Sequence, residues 1–181
     1  MPRYAAFLRG VNLGPNRRIG SADLRAGFEG LGFEDVATFR SSGNVVFAAA
    51  REPVAKMAGR IEKGLRESLG FEVPIYLRTE REVRTIADHE PFPAAQVKAS
   101  KGKLQVALLT GKPAARARKQ VLALATDEDR LAFGAQEVYW LPSGGTRDSA
   151  LDFKAIHAIV GATTMRTKGT MEQLAAKYLA G

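Results

Sequence analysis

The spacing of apolar residues in positions 1–88 predicts six main elements in the order strand, helix, strand, strand, helix, strand. Strands are expected where apolar residues recur at every second position, and helices where they recur at every third or fourth. The predicted elements are a strand over Arg3–Arg9, a helix after an N-cap at Ser21 that Gly32 ends, strands over Val36–Arg40 and Val45–Ala48, a helix over Pro53–Leu69, and a strand through Val73, Ile75 and Leu77. A short helix over Thr79–Asp88 follows.

A similar order begins again after residues 89–101, which are polar, contain prolines and are predicted to be a linker. The predicted elements are a strand over Leu104–Leu109, a helix over Pro113–Ala125, strands over Arg130–Phe133 and Glu137–Leu141, and helices over Leu151–Val160 and Thr170–Leu179. The second half therefore has a helix at the place where a fourth strand would complete the repeat.

This repeated order predicts an α+β protein made of two ferredoxin-like split-βαβ (βαββαβ-type) units with antiparallel sheets, followed by a C-terminal helix. We expect the first unit to span residues 1–88, and the second, which carries the extra C-terminal helix, to span residues 102–181. Apolar residues, Phe7 among them, also occupy the second face of their strands. That face is therefore expected to be covered too, either by the other half of the chain or by a partner chain.

Polar residues cluster where two strands of the first unit end and a third begins. In a split-βαβ unit these three strand ends share one edge of the sheet, which places Arg9, Asn12, Ser42 and Asn44 together near the start of the helix at Ser21. Backbone N–H groups at a helix start favour anions, and an arginine can make a forked contact with phosphate. Alternatively, these side chains only satisfy loop carbonyls, with Asn44 in a left-handed turn conformation.

A second polar cluster covers residues 163–170. Thr170 and Gln173 fit a capping box, which predicts a helix beginning at Thr170, and Arg166 and Lys168 precede it. The chemistry is that of a phosphate-binding turn, although the P-loop spacing is absent. A cap without any ligand explains Thr170 equally well.

The charge balance favours acidic partners. The 181-residue chain contains 27 Lys and Arg against 19 Asp and Glu, which gives a net charge of +8 and a pI of about 10.0. Arg17 and Arg18 add charge to the loop after the first strand. Nucleic acid is the first partner that such a charge suggests. A basic surface that only keeps the protein soluble is the alternative.

Several kinds of site are not expected. The chain has no cysteine, which removes disulfides, thiolate zinc sites and cysteine nucleophiles. Neither His89 nor His157 has a second ligand at metal spacing, and no dinucleotide fingerprint is present, so neither a metal nor a cofactor is predicted. No signal peptide and no run near the ~20 apolar residues of a membrane helix is present. We therefore expect a cytoplasmic protein with no membrane partner.

Three segments carry a resemblance to a known family. They are Tyr4-Ala5-Ala6-Phe7-Leu8-Arg9-Gly10-Val11-Asn12-Leu13-Gly14, Leu31-Gly32-Phe33 with Val36 and Thr38, and Ser42-Gly43-Asn44-Val45-Val46-Phe47. In these segments the chain resembles the bacterial family catalogued as domain of unknown function (DUF) family 1697. The family's usual ending resembles T-T-R-N-W-N-T, from which Thr164-Met165-Arg166-Thr167-Lys168-Gly169-Thr170 departs. The resemblance implies a two-part α/β fold and no established activity.

The function that these observations favour is binding of an anionic ligand, either nucleic acid or a nucleotide. Arg9, Asn12, Ser42 and Asn44 would form one side of the site. The residues that would add positive charge or hydroxyl groups are Arg17, Arg18, Arg166, Lys168 and Thr170. The alternatives are an enzyme acting on a small phosphorylated substrate, which predicts a single closed pocket with Arg9 at its floor, and a homodimeric interaction module.

Overall fold

The computed structural model describes residues 1–12 and 18–180, which form two compact units. The first unit comprises Met1–Thr85 together with Leu174–Gly181, and the second comprises Ile86–Gln173. The elements of the first part of the chain are β1 (Arg3–Leu8), α1 (Ser21–Gly30), β2 (Glu34–Thr38), β3 (Asn44–Ala48), α2 (Val54–Leu69), β4 (Ile75–Thr79) and α3 (Glu80–Asp88). Those of the remainder are α4 (Ala94–Ala99), β5 (Gln105–Leu108), α5 (Ala115–Leu122), β6 (Asp129–Phe133), β7 (Glu137–Pro142), α6 (Phe153–Val160), β8 (Thr164–Thr167) and α7 (Lys168–Tyr178).

Each unit is built on a four-stranded antiparallel sheet. The strand order is β2-β3-β1-β4 in the first sheet and β6-β7-β5-β8 in the second. In each unit the first strand therefore lies between the third and the fourth, which is the arrangement of a split βαβ unit. The predicted α+β class with two antiparallel sheets is confirmed.

Helices α1 and α2 cover one face of the first sheet because each presents an apolar stripe to it. Met57, Ile61 and Leu65 follow one another at four-residue spacing on α2, and none is more than 1% exposed. Burial of side chains of this size stabilises a fold by roughly 1.5–3 kcal/mol each. The helix ends at Gly70, whose φ of 82° is the left-handed conformation that glycine adopts most easily.

The core of the second unit lies between its sheet and helices α5 and α6. Trp140 is 2% exposed and packs against the ring of Phe153 with the ring centroids 4.8 Å apart. Its indole Nε1 donates a hydrogen bond to Asp129, also buried, over 2.8 Å. Ser149 donates a second hydrogen bond to the same carboxylate oxygen over 2.7 Å, so this buried charge has polar partners.

Residues on the second face of each sheet are also buried, as the sequence suggested. Ala5, Phe7 and Val46 of the first sheet are at most 2% exposed. Val106 and Tyr139 lie on the corresponding face of the second sheet, and both are 0% exposed. This burial explains why β1 and β3 have apolar residues at nearly every position instead of alternating them with polar ones.

Two predictions about the end of the chain were wrong. Residues 164–167 form strand β8, which pairs with β5, and the second unit therefore completes the repeat with a fourth strand. Helix α7 begins at Lys168 instead of Thr170. The backbone N–H of Thr170 donates to the hydroxyl oxygen of Thr167 over 3.1 Å, so Thr167 is the residue whose side chain caps this helix.

Two smaller differences concern helices. Residues 94–99 of the predicted linker form helix α4, which is too short to have a recognisable apolar period. Gly20 is the N-cap of α1 and Ser21 is its first helical residue. In residues 1–12 and 18–180, no helix is long and apolar enough to cross a membrane.

Candidate functional site

The end of β1 and the turn before β3 are held together at one edge of the first sheet. The backbone N–H of Leu8 donates to the carbonyl oxygen of Gly43 over 2.8 Å. Gly43 has a φ of 83°, and a Cβ atom there would lie 2.6 Å from a methyl carbon of Val11 and 2.9 Å from the Cβ of Leu8. Only glycine fits this position without moving its neighbours, because both the backbone conformation and the space exclude a side chain.

Asn12 ties the β1–α1 loop to this turn. Its side-chain amide nitrogen donates to the carbonyl oxygen of Ser41, and its amide oxygen accepts from the backbone N–H of Ile19 over 2.9 Å. Asn12 has a φ of 58°, a left-handed conformation that asparagine tolerates better than most residues. The side chain therefore fixes the segment that leads into α1 at the same edge as the β2–β3 turn.

Asn44 is fully buried at the first position of β3, opposite Phe7 of β1. Its side-chain amide donates to the carbonyl oxygen of Phe39 over 2.7 Å and to the hydroxyl of Ser42 over 3.0 Å. The left-handed residues of this turn are Arg40, with a φ of 60°, and Gly43, so the expectation that Asn44 has that conformation was wrong. Asn44 is a strand residue that closes the turn through its side chain.

Arg9 directly follows the last residue of β1 and lies beside the start of β4. Its backbone N–H donates to the carbonyl oxygen of Pro74 over 3.0 Å, and its side chain is half-buried. Burial raises the pKa of the Tyr76 hydroxyl, whereas the positive charge of Arg9 acts in the opposite direction. The charge of Arg9 therefore acts on Tyr76 of the neighbouring strand, an effect that the sequence pattern did not reveal.

Two further arginines belong to the loops of this edge. Arg18 is exposed and precedes Ile19, which Asn12 holds. Arg40 is exposed in the β2–β3 turn, where its guanidinium lies 5.2 Å from the ring centroid of Phe39. Sequence reasoning overlooked Arg40, although it follows β2 much as Arg9 follows β1. Arg17 lies outside the described residues.

Helix α1 starts at the same edge, directly after the segment that Asn12 fixes. Its N-cap is Gly20, and among the described residues no side chain caps its first turn. The backbone N–H groups at a helix start carry a partial positive charge. Together with Arg9, Arg18 and Arg40 they place positive charge at this edge, which we call the Asn12 edge.

The other predicted residues belong to the second unit, where their side chains have protein partners. Arg166 is 7% exposed on β8 and donates hydrogen bonds of 2.9 Å to the Thr164 hydroxyl and to the Met165 carbonyl oxygen. Burial lowers the pKa of this guanidinium to about 10. Arg78 occupies the equivalent place on β4 of the first unit and is 2% exposed. A buried arginine on the fourth strand is therefore a feature of both units.

Lys168 is also 7% exposed, and its ammonium donates to the Ala87 carbonyl oxygen over 2.6 Å and to Glu172 over 3.2 Å. It lines a cavity of about 590 Å³ whose walls include the side chains of His89, Phe92 and Glu172. The Thr170 hydroxyl lies 2.9 Å from that of Thr167, within the α7 cap. The charges around this cavity have both signs, so it does not select an anion.

Metal chemistry has no support in the described part of the chain. No group of three or more His, Cys, Asp and Glu residues there is placed to hold a metal ion. His157 lies 3.0 Å from the hydroxyl of Thr163 through its Nε2, and His89 packs its ring against Tyr139. Both histidines therefore have contacts typical of residues that stabilise a fold.

The fold and the Asn12 edge define an α+β protein with two split-βαβ units and a basic edge on the first. Residues 1–139 match the model of the family described as "Protein of unknown function (DUF1697)", and the chain belongs to this family. The resemblance noted in the sequence is thus confirmed. No curated protein matches the chain.

A solved structure shows the same fold over nearly the whole chain. It is described as "the structure of conserved bacterial protein SP0830 from Streptococcus pneumoniae". The two chains are 21% identical, the superposition covers 97% of each, and the TM-score is 0.76. This similarity extends beyond residue 139 and therefore includes the second sheet and α7.

Proposed function

We propose that this protein binds nucleic acid through the Asn12 edge of its first unit. The observation that carries the proposal is the pair of hydrogen bonds made by the Asn12 side chain. They lock the β2–β3 turn and the start of α1 together while Arg9, Arg18 and Arg40 stand at the same edge. Charged groups beside segments that hydrogen bonds hold in place bind an anion at a lower cost in ordering.

The roles within the edge differ from residue to residue. Asn12 and Asn44 use their amide groups within the protein and position the loops. Arg9, Arg18, Arg40 and the exposed Ser42 are the side chains that would contact phosphate oxygens. Arginine suits this role because its planar fork can donate two hydrogen bonds to one phosphate group.

The exposure of these groups favours a long polyanion over a small molecule. Arg18, Arg40 and Ser42 are all exposed, whereas a small ligand is usually surrounded on most sides by the walls of a cleft. A nucleic-acid backbone presents its phosphates on the outside, where exposed arginines can reach them. The net charge of +8 adds a long-range attraction that speeds the encounter.

Titration of a fluorescent oligonucleotide at two salt concentrations tests the proposal. Three phosphate contacts predict binding that is roughly 10- to 20-fold weaker after a threefold rise in salt, because bound phosphates release their counterions. The double variant Arg18→Ala/Arg40→Ala should bind more weakly and have a salt slope smaller by about 2. No binding at low salt would refute the proposal.

The matched control removes two exposed charges from α2 of the same unit. Lys56 and Lys63 are exposed on α2, and Lys56→Ala/Lys63→Ala should keep the salt slope of the unmodified protein. If both double variants weaken binding equally, general charge and not the Asn12 edge attracts the nucleic acid. Competition with a mononucleotide at equal phosphate concentration distinguishes the nucleotide alternative. A site for a polyanion should keep most of the oligonucleotide bound, whereas a site for a nucleotide should lose it to the mononucleotide.

A further inference from the structure

We propose that the first unit has a second anion site, which binds a small phosphorylated molecule in a cleft at the opposite end of β1. The cleft has a volume of about 430 Å³. Its walls are formed by Pro2, Arg3, Tyr4, Arg51, Thr79, Glu80, Arg81 and Arg84. Four arginines and a single carboxylate thus surround one small space, which we call the arginine cleft.

The sheet brings these residues together from distant parts of the sequence. Tyr4 pairs with Thr79, which places the start of β1 beside the end of β4. The backbone N–H of Ala49 donates to the carbonyl oxygen of Pro2 over 3.1 Å, which brings the segment before Arg51 to the same end. The Asn12 edge lies beyond the other end of β1, roughly 20 Å away for a six-residue strand.

Two of the four arginines are anchored by the protein. Arg3 donates to the carbonyl oxygen of Tyr178. Arg84 donates through Nε to the carbonyl oxygen of Leu179 over 2.6 Å and also pairs with Glu80. These contacts orient the two guanidinium groups, and each group has further N–H donors beyond those used.

The other two arginines have no such anchors. Arg51 and Arg81 are exposed, and within residues 1–12 and 18–180 their side chains make no hydrogen bond or ion pair. Because Glu80 is already paired with Arg84, the positive charge of the cleft is not balanced from within it. Like charges held close together repel one another, and a bound anion would remove that repulsion.

Helix α3, whose first residue lines the cleft, caps its own first turn. Its first turn is closed by a capping box, in which Glu82 donates its backbone N–H to the Thr79 hydroxyl over 3.2 Å and accepts the backbone N–H of Thr79 over 2.8 Å. Glu80 and Glu82 in this first turn offset the partial positive charge of the helix start, so the preference for an anion comes from the arginines. The protein thus satisfies the helix cap itself and leaves the arginines for a ligand.

The size and chemistry of the cleft indicate the class of ligand. Its volume lies within the range of small-molecule sites, about 300–1,000 Å³, and is too small for a nucleic-acid duplex. Arginine forks match the oxygens of a phosphate group, and several arginines suit a ligand with more than one negative charge. A phosphomonoester or a diphosphate of a small molecule fits these requirements.

Thermal unfolding of the full chain with pyrophosphate, against chloride at equal ionic strength, tests this inference. Pyrophosphate at about 100 times its dissociation constant should raise the Tm by roughly 5–10 °C. Arg51→Ala/Arg81→Ala should abolish this rise. The double variant should fold normally, because neither side chain has a partner among residues 1–12 and 18–180, and its Tm without pyrophosphate should match or exceed that of the unmodified chain.

Two control variants separate this cleft from the Asn12 edge. Lys56→Ala/Lys63→Ala should keep the full rise in Tm. Arg18→Ala/Arg40→Ala should keep it as well, although this variant is expected to bind the oligonucleotide more weakly. Absence of any rise in the unmodified chain, or a rise that survives in Arg51→Ala/Arg81→Ala, overturns the inference. A rise that disappears in Arg18→Ala/Arg40→Ala assigns the pyrophosphate to the Asn12 edge and overturns it as well.

Discussion

The turn that leads into β3 needs a residue with a left-handed backbone and a side chain that bonds a backbone carbonyl group, and Gly43 and Asn44 each meet one of these needs. Gly43 supplies the left-handed backbone and the empty space beside Leu8 and Val11. Asn44 supplies the buried amide that binds the carbonyl oxygen of Phe39. A Gly-Asn pair at a turn does not show which of the two residues has the positive φ, because both types tolerate it. That assignment depends on how the turn packs against β1, which the sequence alone does not reveal.

Gly43→Ala should destabilise the protein by roughly 2–4 kcal/mol, because the substitution combines a left-handed backbone with overpacking against Leu8 and Val11. Gly59→Ala is the matched control. Gly59 lies within α2, where a Cβ atom would have no neighbour within 4 Å, so alanine there should stabilise the helix by roughly 0.5–1 kcal/mol. Urea unfolding of both variants measures the difference, and equal effects would contradict the packing argument.

At the scale of elements, the apolar pattern predicts seven of the eight strands described here and fails at β8. The side chains of Thr164 and Arg166 on that strand are buried but polar, so the alternation that marks a half-buried strand is absent from the sequence. Arg166 donates two hydrogen bonds within β8 itself, both through Nη1, to the Thr164 hydroxyl and the Met165 carbonyl oxygen. A strand stabilised in this way resembles a polar loop in its composition.

The boundary between β8 and α7 yields a test at the same scale. Thr167→Ala should cost about 1 kcal/mol of unfolding free energy, because it removes the hydroxyl that accepts the backbone N–H of Thr170. Thr167→Ser keeps the hydroxyl and should lose much less. Chemical denaturation of the two variants checks this, and an equal loss in both would show that the methyl group, not the cap, is responsible.

Part of the candidate site could be predicted from the sequence, because the order of the strands and helices determines which loops lie at the same edge of the sheet. The contact of Asn12 with the β2–β3 turn follows from the topology of a split βαβ unit, which fixes which strand ends share an edge. The arginine cleft could not be predicted in the same way. Arg51 and Arg84 come from segments far apart in the chain, and only the strand register brings them to one end of the sheet.

At the scale of the whole molecule, the end of the chain contributes to the first unit. Leu174–Gly181 belongs to that unit, and within it the Tyr178 hydroxyl donates to the Thr38 carbonyl oxygen over 3.4 Å. The rings of Tyr178 and Phe39 are in edge-to-face contact with centroids 6.0 Å apart. The order of elements along the chain does not reveal which contacts a terminal segment makes.

Leu179→Ala tests this contribution. Leu179 is 1% exposed, and removal of a buried leucine side chain typically costs about 2–5 kcal/mol. Leu122→Ala is the same substitution at a residue that is 41% exposed, and it should change the unfolding free energy by less than about 1 kcal/mol. Thermal melts compare the two variants. A small effect of Leu179→Ala would mean that the first unit is stable without its C-terminal segment.

The burial of Trp140 makes the second unit optically distinct. Trp140 is the only tryptophan of the chain, and it lies in the core between the second sheet and α6. Its fluorescence therefore reports the unfolding of the second unit, whereas circular dichroism follows the helices and strands of both. In Gly43→Ala, whose strain lies in the first unit, coincident midpoints by the two methods mean that the halves unfold as one cooperative system. Separate midpoints measure the stability of each half in a single experiment.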